Sequence, residues 1–210
     1  MNDRTITRPY DTALVVGRFQ TFHLGHESLI NTALSLADRV VLLIGSSQEH
    51  GTLMNPFSVI TREKMIRSIF PGSEVMVSSI SDVNAEKIVD EIWGNHVLSN
   101  VKQLIRKAPD VYLHGQEAHH INWFRASNNL INETKHMAEV IVARERINIS
   151  ASTLRDYMFK DEFEKWAKYV NPKLHKHYSD LRTELLLAPG MKELVHEHLK
   201  FRQPAWSDTK

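Results

Sequence analysis

Apolar and polar positions along the chain follow two alternating rhythms. Short runs rich in β-branched residues, at 13–17, 39–45, 74–79, 110–114 and 138–143, read as strands. The run VVLLIG is apolar throughout, as a strand covered on both faces must be. Between these runs, 25–37, 58–70, 84–107 and 116–127 read as helices; Leu29, Ile30, Ala33, Leu34 and Ala37, for example, recur at helical spacing. Alternation of this kind predicts βαβ units and so an α/β fold with a doubly wound parallel sheet. Beyond about residue 143 the rhythm is helical only, through INISASTLRDYM, EFEKWAKYV and PKLHKHYSDLRTELLLA. Pro172 stands where a helix can begin, and Ala188-Pro189-Gly190 breaks the next one. No repeat, low-complexity run or linker divides the chain. One domain over 1–210 is expected, an α/β core at 12–145 followed by a helical part at 146–210.

Composition changes this picture little. The 210 residues suffice for one well-filled core, and 42% hydrophobic with 24% charged residues is ordinary for a globular protein. The net charge of +1 gives no global field for nucleic acid or an anionic membrane, so any anion site must be local. With no cysteine, disulfides and thiolate metal sites are excluded. MNDRTITRPYD is too polar for a secretory signal, and no apolar run approaches the ~20 residues of a membrane helix. A cytoplasmic setting is the expectation. Of the 12 histidines, only grouped ones invite a functional reading.

One group stands out. GRFQTFHLGH, residues 17–26, follows the first strand and opens the first helix. Ligands of doubly wound sheets bind at the carboxyl ends of the strands, near the point where strand order reverses. A helix starting near Gly25 offers unpaired backbone N–H groups and a positive dipole end, and glycine lets a ligand approach. His23 and His26, three apart, share one face of that turn. Arg18 adds a permanently charged fork suited to phosphate oxygens. Together they describe a polyphosphate site. A dinucleotide fold would need GxGxxG, and only one glycine is in place. A zinc site and a merely polar turn are the other readings, but no third zinc ligand follows. A second cluster, NISASTLR at 148–155, sets Ser150, Ser152 and Thr153 before an apolar helical pattern, as helix caps do, with Arg155 a turn further in. It would form a second phosphate cradle.

GRFQTFHLGH with ISASTLR resembles the HxGH nucleotidyltransferase superfamily, and within it the nicotinamide-nucleotide adenylyltransferases of the archaeal and Nudix-fused type. GSSQEHGTLMNPFSVITREKMI resembles that branch's SAQ…NPFTxxER segment, and EIWGNHV its tryptophan-bearing helix. The likeness covers about residues 12 to 185, and no Nudix signature is present. The resemblance implies a Rossmann-like fold and the reaction of nicotinamide mononucleotide (NMN) with ATP to give NAD and pyrophosphate, with Mg²⁺ carried by ATP. It implies catalytic roles for His23, His26 and Arg155, and a phosphate site made by Gly17, Arg18, Phe19, Gly25, Ser150 and Ser152. Arg62 would meet the NMN phosphate, Trp93 would stack on the nicotinamide ring, and Asp90 would accept from its carboxamide. No protein-held metal, nucleic acid or membrane partner is implied, but a homo-oligomer is.

The chain departs from that pattern in places. Thr21 stands where proline is usual, so the loop should be less preorganised. Ser152 replaces threonine, and Thr61 replaces the glutamate before Arg62. HGQEAHHINWF, from His114 on, matches poorly; its histidines could face solvent, an adenine pocket or a subunit contact. The alternatives are another HxGH transferase, forming FAD, dephospho-CoA or a CDP-alcohol, and a regulator that senses NAD or ATP.

Overall fold

The computed structural model describes residues 7–83, 90–115, 123–143 and 149–189. Five strands form one parallel sheet: β1 (Tyr10–Gly17), β2 (Ala37–Ile44), β3 (Val75–Ser79), β4 (Val111–Gly115) and β5 (Ala138–Val142). Their order is β3-β2-β1-β4-β5, so strand order reverses between β1 and β4. All four neighbouring pairs run parallel, as the alternating pattern predicts. Strand β1 begins three residues earlier than its apolar run suggests, because Tyr10 is in register with Ala37 at the start of β2.

Period-two alternation sorts the sheet into two apolar layers. Ala13 and Val15 of β1, Val40, Leu42 and Ile44 of β2, and Val111 and Leu113 of β4 face one side. There they meet Ile30 and Ala33 of α1 (Leu24–Leu36) and Met65, Ile66 and Ile69 of α2 (Val59–Ile69). Leu14, Val41, Leu43 and Tyr112 face the other side, against Val97, Leu98 and Val101 of α3 (Asp90–Ile105). Leu130 of the short α4 (Asn128–Glu133) completes that layer.

The helical C-terminal part comprises α5 (Ala151–Phe159), α6 (Phe163–Ala167), a 3₁₀ turn at Pro172–His177 and α7 (Tyr178–Leu187). Leu154, Met158, Trp166, Leu174, Leu181 and Leu185 join the α1–α2 layer, so this part extends the core. Pro172 opens its turn, with the Asn171 side chain accepting from the Lys173 N–H at 3.0 Å.

Two helix expectations need amendment. Of the helix expected at 116–127, residues 116–122 lie outside the described residues. Trp123–Arg125 is a 3₁₀ turn, and the α-helix begins where the expected one should have ended. Ser127 is the reason: its side chain accepts from the Leu130 N–H, which caps a new helix. The helix expected from residue 84 is described from Asp90. Among the described residues, no helix is long and apolar enough to cross a membrane.

Candidate active site

A cavity of about 470 Å³ opens at the carboxyl ends of β1 and β4. Gly17, Arg18, Phe19, His23, His26, Trp93, Ser150, Ser152 and Arg155, all expected from the sequence, line it. So do Gln20, Ser46, Asp82, Tyr112, His114 and Trp123. Two stretches far apart in sequence therefore make one site.

The start of α1 differs from expectation in one respect: its backbone donors are already engaged. The Leu24 N–H donates to the Tyr169 carbonyl at 2.9 Å, and the Glu27 N–H to the His23 carbonyl at 3.0 Å. The Gly25 and His26 N–H groups donate to His23 Nδ1 at 3.1 and 3.4 Å. The imidazole is thus the N-cap of its own helix. An Nδ1 that accepts places the proton of the neutral ring on Nε2. Gly25 owes its identity to this cap, since a Cβ there would lie 3.0 Å from His23 Cε1 and Nδ1. It does not line the cavity itself. His26 stacks on His23, with centroids 3.7 Å apart and planes inclined by 20°. Phe19, buried, presents its ring edge-on to His26 at 5.0 Å. The two imidazoles form one braced surface.

The start of α5 supplies the backbone donors that α1 withholds. The Thr153 N–H donates to Ser150 Oγ at 3.1 Å and the Leu154 N–H to the Ser150 carbonyl at 3.2 Å. Helix geometry leaves the N–H groups of Ala151 and Ser152, both on the cavity wall, for a ligand. Arg155 donates through Nη1 to the Gln20 carbonyl and through Nη2 to Ser152 Oγ at 3.2 Å. Ser152 accepts there and keeps its own hydroxyl proton to donate. Burial lowers the Arg155 pKa, and the neighbouring Arg18 cation lowers it further. Cations that crowd in this way are relieved by a bound anion.

Arg62 departs from the role implied for it. It does not line the cavity but lies fully buried beneath it. Nη1 donates to the carbonyls of Arg18 at 3.0 Å and Gly45 at 2.7 Å, Nη2 to Ser46 at 3.0 Å and Nε to Ser58 at 3.3 Å. Burial first, then Arg18, lowers its pKa to about 10, against the pull of Asp82 and Glu184, so it stays charged at neutral pH. Four of its five donors hold backbone, which makes it a tie between loops. Asp90 likewise does not line the cavity; it stands in the first turn of α3, one turn before Trp93.

A second group of lining residues is aromatic. Trp93 meets Trp123 edge-to-face at 5.9 Å and 89°, and Trp123 lies 5.6 Å from Tyr112. Gly94 permits this approach, because a Cβ there would come within 2.8 Å of the Trp123 carbonyl oxygen. Asp82 accepts from Ser46 Oγ at 3.1 Å and Gln48 Nε2 at 3.0 Å. His114 pairs through Nδ1 with the Gly115 carbonyl at 3.0 Å and through Nε2 with Glu139 at 2.9 Å. The rest of its poorly matching segment, 116–122, lies outside the described residues. Among the described residues no group of three or more His, Cys, Asp or Glu could hold a metal.

Gln20 was the least foreseeable member. Its buried amide donates to the Phe57 carbonyl at 3.0 Å and accepts from the Phe57 N–H at 2.9 Å, a two-way pairing with backbone. With Arg62 on the Arg18 carbonyl and Arg155 on the Gln20 carbonyl, the loop lacking a proline at Thr21 is held by three side chains.

This is the layout of a doubly wound nucleotide-binding protein, with the starts of the HxGH helix and of a serine-capped helix lining one cavity. A family model described as cytidylyltransferase-like matches residues 14–157, and the chain belongs to that family. A nicotinamide-nucleotide adenylyltransferase of Saccharolobus solfataricus is 39% identical over 85 residues, 40% of this chain and 49% of the relative. A nicotinamide/nicotinic acid mononucleotide adenylyltransferase of Acinetobacter baylyi is 32% identical over 107 residues, 50% of this chain and 56% of the relative. The chain thus matches about half the length of these curated relatives. Among solved structures, a bifunctional NMN adenylyltransferase/ADP ribose pyrophosphatase of Francisella tularensis, complexed with AMP and a manganese ion, superposes with a TM-score of 0.64 at 21% identity. That match covers 93% of this chain and 57% of the other. At that identity the likeness concerns the fold.

Proposed function

We propose that the protein is a nicotinamide-nucleotide adenylyltransferase, joining ATP and NMN into NAD and releasing pyrophosphate. One observation carries the reading: a single cavity is lined both by His23, His26, Ser152, Arg155 and the start of α5, groups whose chemistry suits phosphate, and by the aromatic rings of Trp93, Trp123 and Tyr112. A dinucleotide-forming reaction needs both. The names of the curated relatives agree with it.

The chemistry asks little of the protein beyond alignment and charge. The NMN phosphate, with a second pKa of about 6, is largely ionised at neutral pH and needs no general base. Its oxygen attacks the α-phosphorus of ATP, a new P–O bond forms, and the bond to the β-phosphate oxygen breaks as pyrophosphate leaves. Arg155, Arg18, the His23 Nε2–H and the α5 N–H groups would neutralise the oxygens on which charge builds. Mg²⁺ would arrive on the triphosphate as part of the substrate. The pyridinium of NMN is a cationic ring, and the tryptophan faces suit it. Asp82, the sole carboxylate among the described lining residues, favours a carboxamide over the carboxylate of nicotinic acid mononucleotide.

The test is a steady-state comparison of phosphate acceptors with ATP and Mg²⁺: NMN, nicotinic acid mononucleotide, FMN and phosphopantetheine. NMN should give the highest kcat/KM. Folded protein that forms no NAD yet turns over another acceptor would overturn the reading.

A further inference from the structure

The N-terminus of α2 is capped from outside its own segment. Ser58 is the N-cap, its Oγ accepting from the Thr61 N–H at 3.2 Å. In a capping box the third helical residue is Glu or Gln, and its side chain accepts from the N-cap backbone N–H. Here that residue is Thr61, whose side chain is too short to return. The missing acceptor comes from α7. Glu184 Oε1 accepts from the Ser58 N–H at 2.8 Å, and Oε2 accepts from Thr61 Oγ1 at 2.7 Å. With the Thr61 hydroxyl donating to Glu184, its 2.9 Å contact with Ser58 Oγ must have Ser58 as donor. Every hydrogen in this cluster then has one place, and a carboxylate sits at the positive end of α2.

The helix so fixed carries Arg62 one residue later. Arg62 in turn holds the Arg18, Gly45 and Ser46 carbonyls, and all three of these residues line the cavity. Glu184 also favours the charged form of Arg62 through space. A continuous chain of contacts therefore runs from α7 to the cavity floor.

We infer that Glu184 is a positioning residue for the reaction: it completes the α2 cap in trans and so sets Arg62 and the loops that Arg62 ties. The inference rests on the adenylyltransferase reading for its kinetic readout, but not for its structural one. The experiment uses the full chain as wild type, Glu184→Ala, Glu184→Gln, Thr61→Glu and the double variant Thr61→Glu/Glu184→Ala. NAD formation from NMN, ATP and Mg²⁺ is measured per folded molecule, with hydrogen exchange at the Ser58 amide alongside.

Misalignment of the loops should lower kcat of Glu184→Ala about tenfold, with a smaller change in the KM values. Glu184→Gln keeps an acceptor for the Ser58 N–H and should lose less, about threefold, giving a foldable variant should the alanine form not accumulate. The double variant rebuilds the box within α2 and should recover kcat to within about threefold of wild type. Thr61→Glu alone sets two carboxylates at one cap and should be worse than the double variant. Unchanged kcat in both Glu184 variants would overturn the inference, as would a double variant no better than Glu184→Ala; a purely structural role would lower the melting temperature and leave kcat per folded molecule intact. If wild type forms no NAD, the adenylyltransferase reading fails while the cap is still read by exchange. Ser58 protection lost in Glu184→Ala and regained in the double variant upholds the cap, and protection unchanged throughout overturns it.

Discussion

The guanidinium of Arg62 donates to four carbonyls, those of Arg18, Gly45, Ser46 and Ser58, from a fully buried position. Truncation would leave buried acceptors without donors, the costly half of the hydrogen-bond asymmetry. Arg62→Ala should therefore cost about 2–4 kcal/mol of stability, read by urea unfolding. Arg62→Lys should recover little of it, because a lysine cannot reproduce the planar fork. An unfolding midpoint equal to wild type would remove the tie from the account. At this scale the sequence was informative about residue type and silent about direction. NPF followed by an arginine marked Arg62 as important, but whether its fork faces a ligand or a ring of carbonyls depends on where β1 and β2 end. Gln20 and Asp82 were missed for the same reason: a side chain that pairs with Phe57 backbone, or one that takes donors from Ser46 and Gln48, has no periodic signal.

The two helices that flank the cavity use their N-termini in opposite ways. In α1 the imidazole of His23 caps the backbone, taking the Gly25 and His26 N–H groups. In α5 a hydroxyl caps the third N–H, and helix geometry gives the first two no partner within the helix. Ser150→Ala should cost about 1 kcal/mol of stability through the lost cap. Ser152→Ala, which is no cap, should leave the melting temperature near wild type and lower kcat/KM. If the two variants exchanged these effects, the roles assigned to the α5 turn would be wrong. Elements themselves were legible where patterns were long. The α1 and α2 limits fell within a residue of expectation, because a capping side chain stands at each start and a strand or proline follows closely. The turn at Trp123–Arg125 was not legible. Three residues carry too little periodicity, and Ser127 caps the helix after it instead of ending one before it.

Across the whole molecule, the strand order places the β1 and β4 ends side by side, and the C-terminal helices fold back onto the same apolar layer as α1 and α2. That return brings Arg155 to the Gln20 carbonyl, 135 positions away in sequence, and Glu184 to Ser58, 126 away. The pairing of GRFQTFHLGH with ISASTLR was readable because both carry helix-start chemistry. The Glu184 contact was not, since an acid on an amphipathic helix resembles any solvated one. The central claim is that this cavity joins the adenylyl group of ATP to the phosphate of NMN. Incubation with NMN, Mg²⁺ and ATP labelled at the α- or γ-phosphorus tests it most directly. The α-label should appear in NAD and the γ-label in pyrophosphate, and His26→Ala should slow both by about 10²–10³-fold per folded molecule. Release of the γ-label as inorganic phosphate, with no α-label joined to NMN, would contradict the account.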